Sequence, residues 1–380
     1  MPISVTTPVD IREQIALMAL HESYTITEVA DLFGVTRPTV YKYRDRYRAE
    51  GRAGLVDRSK APRTAHCTDA DVVKCILDDR RRFKFGSKKI RRRLVDSDPD
   101  ATWPARSTID AILKRAGLVT PRRGRSVKYA SPFRQRYDAT EPGDLQTIDF
   151  KGEFRLRTGR WCHPLTMADA VSRFFLACQA LPTTALALVW PVVERVFREN
   201  GLPAAMLSDN GPPFGAHGTG RLSTFSVRLM ELGVQPVFIV PGHPEQNGRH
   251  ERMHLTLKQS DAVRPARSLR EQQRAFDDFR KTYNEERPHE GIDLDRPARR
   301  HRSSNRPYPE AVPRIEYDSS LEVRTVSANG LLKWGGYPIF LSHALAARRV
   351  AMELVDDRLW NVYLGKFLIG KLDEKQRRFV

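Results

Sequence analysis

At about Asp144 the apolar residues of this chain change their repeat. Upstream they recur every three or four positions, as in Val29, Phe33 and Val40, which is the spacing of amphipathic helices. Downstream come β-prone runs over 145–150, 161–168 and 173–180, separated by glycine or polar turns such as Thr158-Gly159 and Asp169. A chain that switches period in this way cannot be a single all-α or all-β body, and 380 residues suffice for two to four domains. Charge divides at the same place. Residues 1–136 hold 29 Lys/Arg against 16 Asp/Glu, whereas the remainder holds 35 against 30. The formal net charge of +18 therefore sits mostly on the first third, which suggests a polyanionic partner held mainly there.

The basic third reads as two helical units. In the first, Ala30, Gly34 and Val40 suit a helix-turn-helix: a small residue where helices touch, a glycine at the turn and a locking valine. Thr36 is placed to cap the second helix, with Arg37 and Pro38 in its first turn. Arg37, Thr39, Lys42, Arg44 and Arg46 then offer groups for groove and phosphate contacts. Residues 54–66 lack periodicity, contain Pro62 and read as a linker. A second three-helix unit is expected over 69–82, 87–95 and 107–116, with Lys88, Lys89, Arg91, Arg92 and Arg93 on or near its middle helix. Residues 120–136 carry Arg122, Arg123, Arg125, Lys128, Arg134 and Arg136 with no acid, as a flexible arm tracking phosphates would.

In the α/β region, helices are expected over 184–200, 222–232, 248–260 and 268–284, and further strands over 205–208 and 236–240. Three acids stand out by position. Asp149 lies in the first strand, Asp209 ends the fourth, and a glutamate lies near the start of the helix after Pro241. Carboxylates so placed can converge on one face of a sheet and supply the oxygen ligands that hard divalent cations need.

The segments TIDFKG, SDNGPPF, PGHPEQNGRHERMHLTLK and YNEERPHEGI resemble the motifs of DDE transposases with a retroviral-integrase-type catalytic core. The likeness is closest to bacterial insertion-sequence transposases with tandem helix-turn-helix units, and it covers nearly the whole chain. It implies tandem three-helix helix-turn-helix domains over 1–58 and 66–119 and a basic linker over 120–138. It further implies a ribonuclease-H-like α/β core over 139–286, an Arg/Pro-rich linker over 287–320 and a small SH3-like β-barrel over 321–380. The activity implied is cleavage and strand transfer at transposon ends with two Mg²⁺ (or Mn²⁺) ions held by Asp149, Asp209 and a glutamate. The implied partners are double-stranded DNA, as transposon ends and target, and further copies of the chain in a synaptic complex. The retroviral members' His/Cys zinc unit has no counterpart in this sequence.

Two glutamates compete for the third position. Glu245 leaves 35 residues after Asp209, the familiar spacing of the superfamily, but it precedes Gly248 in a proline-flanked loop. Glu251 leaves 41 and follows Gly248 by three, in the first turn of a helix, as the family motif does. The excess fits the glycine-rich 211–221 segment, where insertion is cheap. Glu251 is the choice and Glu245 the alternative.

The same helix contains a literal HExxH, His250 to His254, the zinc-protease signature. Leu257 stands where the extended form needs glycine, and a protease would leave Asp149 and Asp209 without a role. On a helix, Glu251, His254 and Lys258 share a face. Lys258 matches the family's lysine that contacts terminal DNA, and His254 is expected beside it. Arg249 and Arg252 are candidate phosphate contacts by charge alone.

Beyond Leu321 the pattern is β, with turns at Asn329-Gly330, Gly335-Gly336 and Asp356-Asp357. Trp334 and Trp360 are read there as core residues. Mean hydropathy of −0.50 with 40% hydrophobic residues excludes collagen-like, disulfide-scaffold and wholly disordered chains. The longest apolar run, 185–193, contains Pro191 and is too short to span a bilayer. No signal peptide is visible, and Cys67, Cys75, Cys162 and Cys178 form no framework, so a cytoplasmic protein with reduced thiols and neither membrane nor small-molecule partner is expected. The leading alternative is a catalytically silent DNA-binding regulator derived from a transposase. A metal-dependent nuclease without strand transfer would not need the flanking domains.

Overall fold

Thr25 and Thr7 each close a capping box at a helix start, with Glu28 and Asp10 as the reciprocal partners. These caps open the first two helices of the N-terminal unit. The structure, a computed structural model, describes residues 7–60, 67–119, 137–216, 222–240 and 244–380. It divides into two compact units, Met1–Thr68 and Asp69–Val380. In the first, α1 (Pro8–Leu20), α2 (Ile26–Phe33) and α3 (Arg37–Glu50) surround Ile15, Val29, Ala30 and Val40. Gly34 turns the chain between α2 and α3 at φ +62°, which a side chain would resist. Thr36 occupies the cap position of α3 but makes no capping bond; its hydroxyl lies 3.0 Å from that of Thr39 instead. The expected linker also begins too early. A 3₁₀ turn, Gly51–Leu55, buries Leu55 completely, and Arg12 donates to the Leu55 carbonyl at 2.8 Å.

The larger unit opens with the second helical group, α4 (Ala70–Phe83), α5 (Ser87–Ser97) and α6 (Arg106–Arg115), closed around Ile76, Ile90 and Ile109. Expected as a separate domain, this group belongs instead to the compact unit that contains the α/β core. Lys84 pairs with Asp261 at 2.8 Å, Arg93 with Glu286 at 3.2 Å, and the Arg287 guanidinium lies 5.4 Å from the Phe85 ring centre.

The core is a six-stranded mixed sheet of β1 (Leu145–Phe150), β2 (Phe154–Arg155), β3 (Trp161–Asp169), β4 (Phe175–Leu181), β5 (Ala205–Ser208) and β6 (Gln235–Phe238). β3 runs antiparallel to β1, β2 and β4, while β1, β5 and β6 are parallel neighbours in that order. Side chains alternate between two apolar layers. Ile148, Leu165 and Met167 pack with α7 (Leu186–Asn200) and α8 (Thr224–Glu231). Phe175 and Cys178 pack with α9 (Gly248–Lys258) and α10 (Leu269–Lys281). Burial lifts the Cys162 thiol to about 12, in keeping with an inert thiol.

After α10 the chain runs through a short helix, α11 (Pro297–Arg300), and then extended along the core, as its prolines require. Arg306 secures this wrap by donating to the carbonyls of Pro203, Leu232 and Gly233. The C-terminal β region holds seven strands. β7 (Glu322–Thr325), β10 (Arg349–Asp356), β11 (Leu359–Leu364), β12 (Phe367–Asp373) and β13 (Arg378–Phe379) form an antiparallel sheet, and β8 (Leu331–Trp334) and β9 (Tyr337–Phe340) a hairpin. Their shared core takes in Leu222, Val227 and Met230 of the α/β part. Trp334 is buried in it, edge-on to Trp360 at 4.7 Å.

Candidate active site

The pairing of β1 with β5 positions the first two acids. Thr147 stands opposite Leu207 in this parallel register, and two residues further along lie Asp149 and Asp209. Parallel neighbours run about 4.8 Å apart, so the two carboxylates leave the sheet side by side. Gly211 holds Asp209 in place: its amide donates to Asp209 Oδ1 at 3.3 Å, and a Cβ at that position would come within 3.2 Å of Oδ2. Asn210 ties the same turn to the end of β6 by donating to the Ile239 carbonyl at 3.0 Å. Glu251 lies in the first turn of α9 with its side chain exposed.

Asp149 feels all of this. Burial first, then the Asp209 and Glu251 charges, push its carboxyl up to about 7. Burial likewise raises Asp209. Opposed to the acids are two lysines. Lys151 is held below its usual value by burial and then by the Lys258 charge, while Asp149 pulls the other way. Lys258 itself is exposed at the end of α9.

His254 departs from expectation. Its side chain is only 12% exposed and faces inward, with Nε2 2.7 Å from the Thr166 hydroxyl and Nδ1 3.9 Å from Asp149 Oδ2. His250 is buried between the same hydroxyl, 2.7 Å from Nε2, and that of Thr147, 2.6 Å from Nδ1. Thr166 donates its proton to the Asp149 carbonyl at 2.8 Å, and both imidazoles bring Nε2 within hydrogen-bond distance of the same hydroxyl oxygen. Burial keeps both rings neutral, His254 at about 4 and His250 well below the usual range. Asp149, His250 and His254 do bring ligand atoms within 4.8 Å of one another. Threonine hydroxyls occupy three of the four ring nitrogens, however, so the HExxH imidazoles serve as struts beneath Asp149 rather than as a free zinc-binding pair.

Thr147, Thr166 and Asn247, which reaches Asp149 Oδ2 with its amide at 3.4 Å, were not singled out by sequence, and His250 was read only as part of the HExxH match. The available signal was polar residues in otherwise apolar strands. Glu245 lies in a 3₁₀ turn, Pro244–Asn247, and its side chain is outside the described residues. So are Arg122, Arg123, Arg125 and Lys128.

Family comparisons agree with this layout. Residues 139–244 and 232–297 each match an "Integrase core domain" model. The chain carries an integrase core domain. Residues 11–63 match a "Helix-turn-helix domain" and 39–113 a "Homeodomain-like domain", so DNA-binding domains precede that core. Over 129 residues, 33% of the chain, it is 30% identical to the Gag-Pol polyproteins of gibbon ape leukemia virus and koala retrovirus, spanning only 7% of their length. Among solved structures, a simian T-cell lymphotropic virus intasome in complex with PP2A regulatory subunit B56 gamma aligns at 14% identity. That match covers 77% of this chain and 97% of that one, with a TM-score of 0.38. The HTLV-2 integrase catalytic core domain in complex with magnesium aligns at 12% identity over 43% of this chain and 99% of that one, with a TM-score of 0.32.

Of the basic residues ahead of the integrase core, Arg37 and Lys42 are exposed on α3, Thr39 and Arg46 are half-buried, and Arg44 pairs with its neighbour Asp45 at 2.8 Å. On α5, Lys88 and Arg91 are exposed, but Arg92 is paired with Asp96 and Lys89 is half-buried. No described helix is long and apolar enough to cross a membrane.

Proposed function

We propose that this chain is a DDE transposase that binds the terminal inverted repeats of its element, cleaves DNA at 3′ ends and joins them to target DNA. The single observation that carries the reading is the convergence on Asp149: a half-buried carboxyl set beside Asp209 by the β1–β5 register and raised to about 7 by burial and by the charges of Asp209 and Glu251. Such a site is over-negative without a cation. Its donors are hard oxygens, and the buried Asn247 Oδ1 beside it has no hydrogen-bond partner among the described residues. The set fits Mg²⁺ or Mn²⁺. In this reading Asp149, Asp209 and Glu251 would hold the ions. Two such ions, when bound, supply a nucleophilic water or DNA 3′-OH of lowered pKa and positive charge on the departing 3′ oxygen.

The chain's own residues do the rest. Thr166, backed by His250 and His254, fixes the backbone that carries Asp149. Lys151 and Lys258 place two cations at the rim, suited to the phosphates on either side of the scissile bond. The helix-turn-helix α3 and the C-terminal β region, read as an SH3-like barrel, hold the duplex. Two ends must meet, so the DNA-bound form is a homo-oligomer.

The test is to incubate the full chain with a labelled duplex carrying the element's terminal repeat. With Mg²⁺, nicked and joined products are expected; chelator, or Asp149→Asn, should remove both while leaving duplex binding intact. Tight binding with no cutting or joining by the wild type would make the chain a silent regulator. Cutting without joining would leave a nuclease.

A further inference from the structure

Where α5 meets the start of α9, the structure forms an open cleft of about 390 Å³ lined by Lys89, Arg173, Arg249, Arg252 and Arg287, with Glu290 as the only carboxylate among the described residues that line it. The five cations come from distant parts of the sequence. Lys89 belongs to the second helical group, Arg173 to the turn before β4, Arg249 and Arg252 to the first turns of α9, and Arg287 to the segment after α10. None of the five makes an ion pair with a carboxylate among the described residues, and Glu290 itself lies 3.9 Å from Lys88.

Three of them are held by neutral groups instead. Arg173 and Arg249 both donate to the Ala170 carbonyl, at 2.7 and 3.1 Å, and Arg287 rests near the Phe85 ring. These contacts fix the direction of the guanidinium groups without neutralising them. The excess charge is felt locally. Burial, then the Arg287 charge, lowers Lys89 to about 8, with Arg252 contributing. Burial, then Arg287 and Lys89, lowers His289 on the same wall to about 3. Glu290 offsets part of this charge at Lys89 and Arg287, but five cations around one carboxylate still carry an electrostatic cost, which a bound anion relieves.

We infer that this cleft is a seat for a backbone phosphate of duplex DNA, lined in part by Arg249 and Arg252 on either side of Glu251 in sequence and built jointly by the second helical group and the integrase core. The inference rests on the DNA reading above and deepens it. A phosphodiester suits the set because guanidinium forks bind its oxygens pairwise without reading a base. It also gives the docking of α4–α6 a purpose: Lys89 completes the seat only when that group sits on the core.

The experiment is duplex binding by the full chain in EDTA, followed by fluorescence anisotropy over 50–200 mM salt, on two duplexes of unrelated sequence. One phosphate contact contributes a slope of about 0.9 in log affinity against log salt, and roughly tenfold in affinity. Lys89→Gln combined with Arg252→Gln should lower both by about these amounts, equally on both duplexes, with the melting temperature held or raised as the cation cluster is relieved. Arg252→Gln alone, at an exposed side chain, should show part of the loss, and Arg252→Lys should restore most of it. An unchanged slope in the double variant would overturn the inference while leaving the transposase reading intact. A loss confined to one duplex would mean base reading and would also overturn it. If millimolar inorganic phosphate raises the melting temperature of the wild type but not the variant, while duplex affinity is equal, the seat belongs to free phosphate. Absence of duplex binding by the wild type would overturn the DNA reading and this inference together.

Discussion

The two helical units ahead of the integrase core are both rich in arginine, yet they use it differently. On α3, Arg37 and Lys42 point to solvent with no carboxylate partner among the described residues. On α5, Arg92 pairs with Asp96 at 2.9 Å, and Arg93 pairs with Asp79 and Glu286 while its guanidinium lies 4.1 Å from the centre of the Phe83 ring. The first unit presents its charge; the second fastens itself to the core with part of its charge and adds Lys89 to a shared cleft. A run of basic residues is therefore not an interface in itself. Its role depends on which acids the fold brings to it from far along the chain.

The sharpest way to break this contrast is to remove the fastening. Arg93→Ala leaves Asp79 and Glu286 without their cation, and unfolding of the 69–380 unit should become easier by about 2 kcal/mol at neutral pH. The Asp79 carboxyl already stands above its usual value because burial outweighs the pull of Arg93. A raised folded pKa favours the protonated form, so the deficit should grow as pH rises through the carboxylate range and shrink near pH 4. Thermal melts of wild type and variant at pH 4 and pH 7 check both parts.

Duplex binding comes next in size. Arg37→Gln with Lys42→Gln should weaken affinity about tenfold at moderate salt, whereas Arg92→Gln should change it less than threefold, because Arg92 is already paired. Equal losses in anisotropy titrations would erase the distinction between the units. The smallest effect concerns caps. Thr25→Ala removes a two-way capping box and should cost the N-terminal unit about 1 kcal/mol, but Thr36→Ala, which breaks no capping bond, only a few tenths. Denaturant midpoints would resolve the two.

These same places mark what could be read from the sequence. Ala30, Gly34 and Val40 disclose the helix-turn-helix because small, turning and locking roles fall within ten residues of each other. Asp149 and Asp209 stand out for a similar reason, one inside a short β-prone run and the other at the end of one. What stayed hidden is carried by long-range partners. Nothing local to Arg93 points to Glu286, and nothing near His254 points to Thr166, 88 positions away. Helical spacing puts Glu251, His254 and Lys258 near one another, but spacing alone does not say which of three neighbours turns inward. A buried hydroxyl on β3 decides that.

The central claim is that Asp149, Asp209 and Glu251 form one metal-binding set. The most direct test compares strand transfer of the terminal-repeat duplex in Mg²⁺ by wild type, Asp209→Asn, Glu251→Gln and Glu245→Gln, with each variant first shown to fold and to bind the duplex. Joined product should disappear, by at least about a thousandfold, in Asp209→Asn and Glu251→Gln and persist in Glu245→Gln. Product lost with Glu245→Gln and retained with Glu251→Gln would contradict that assignment.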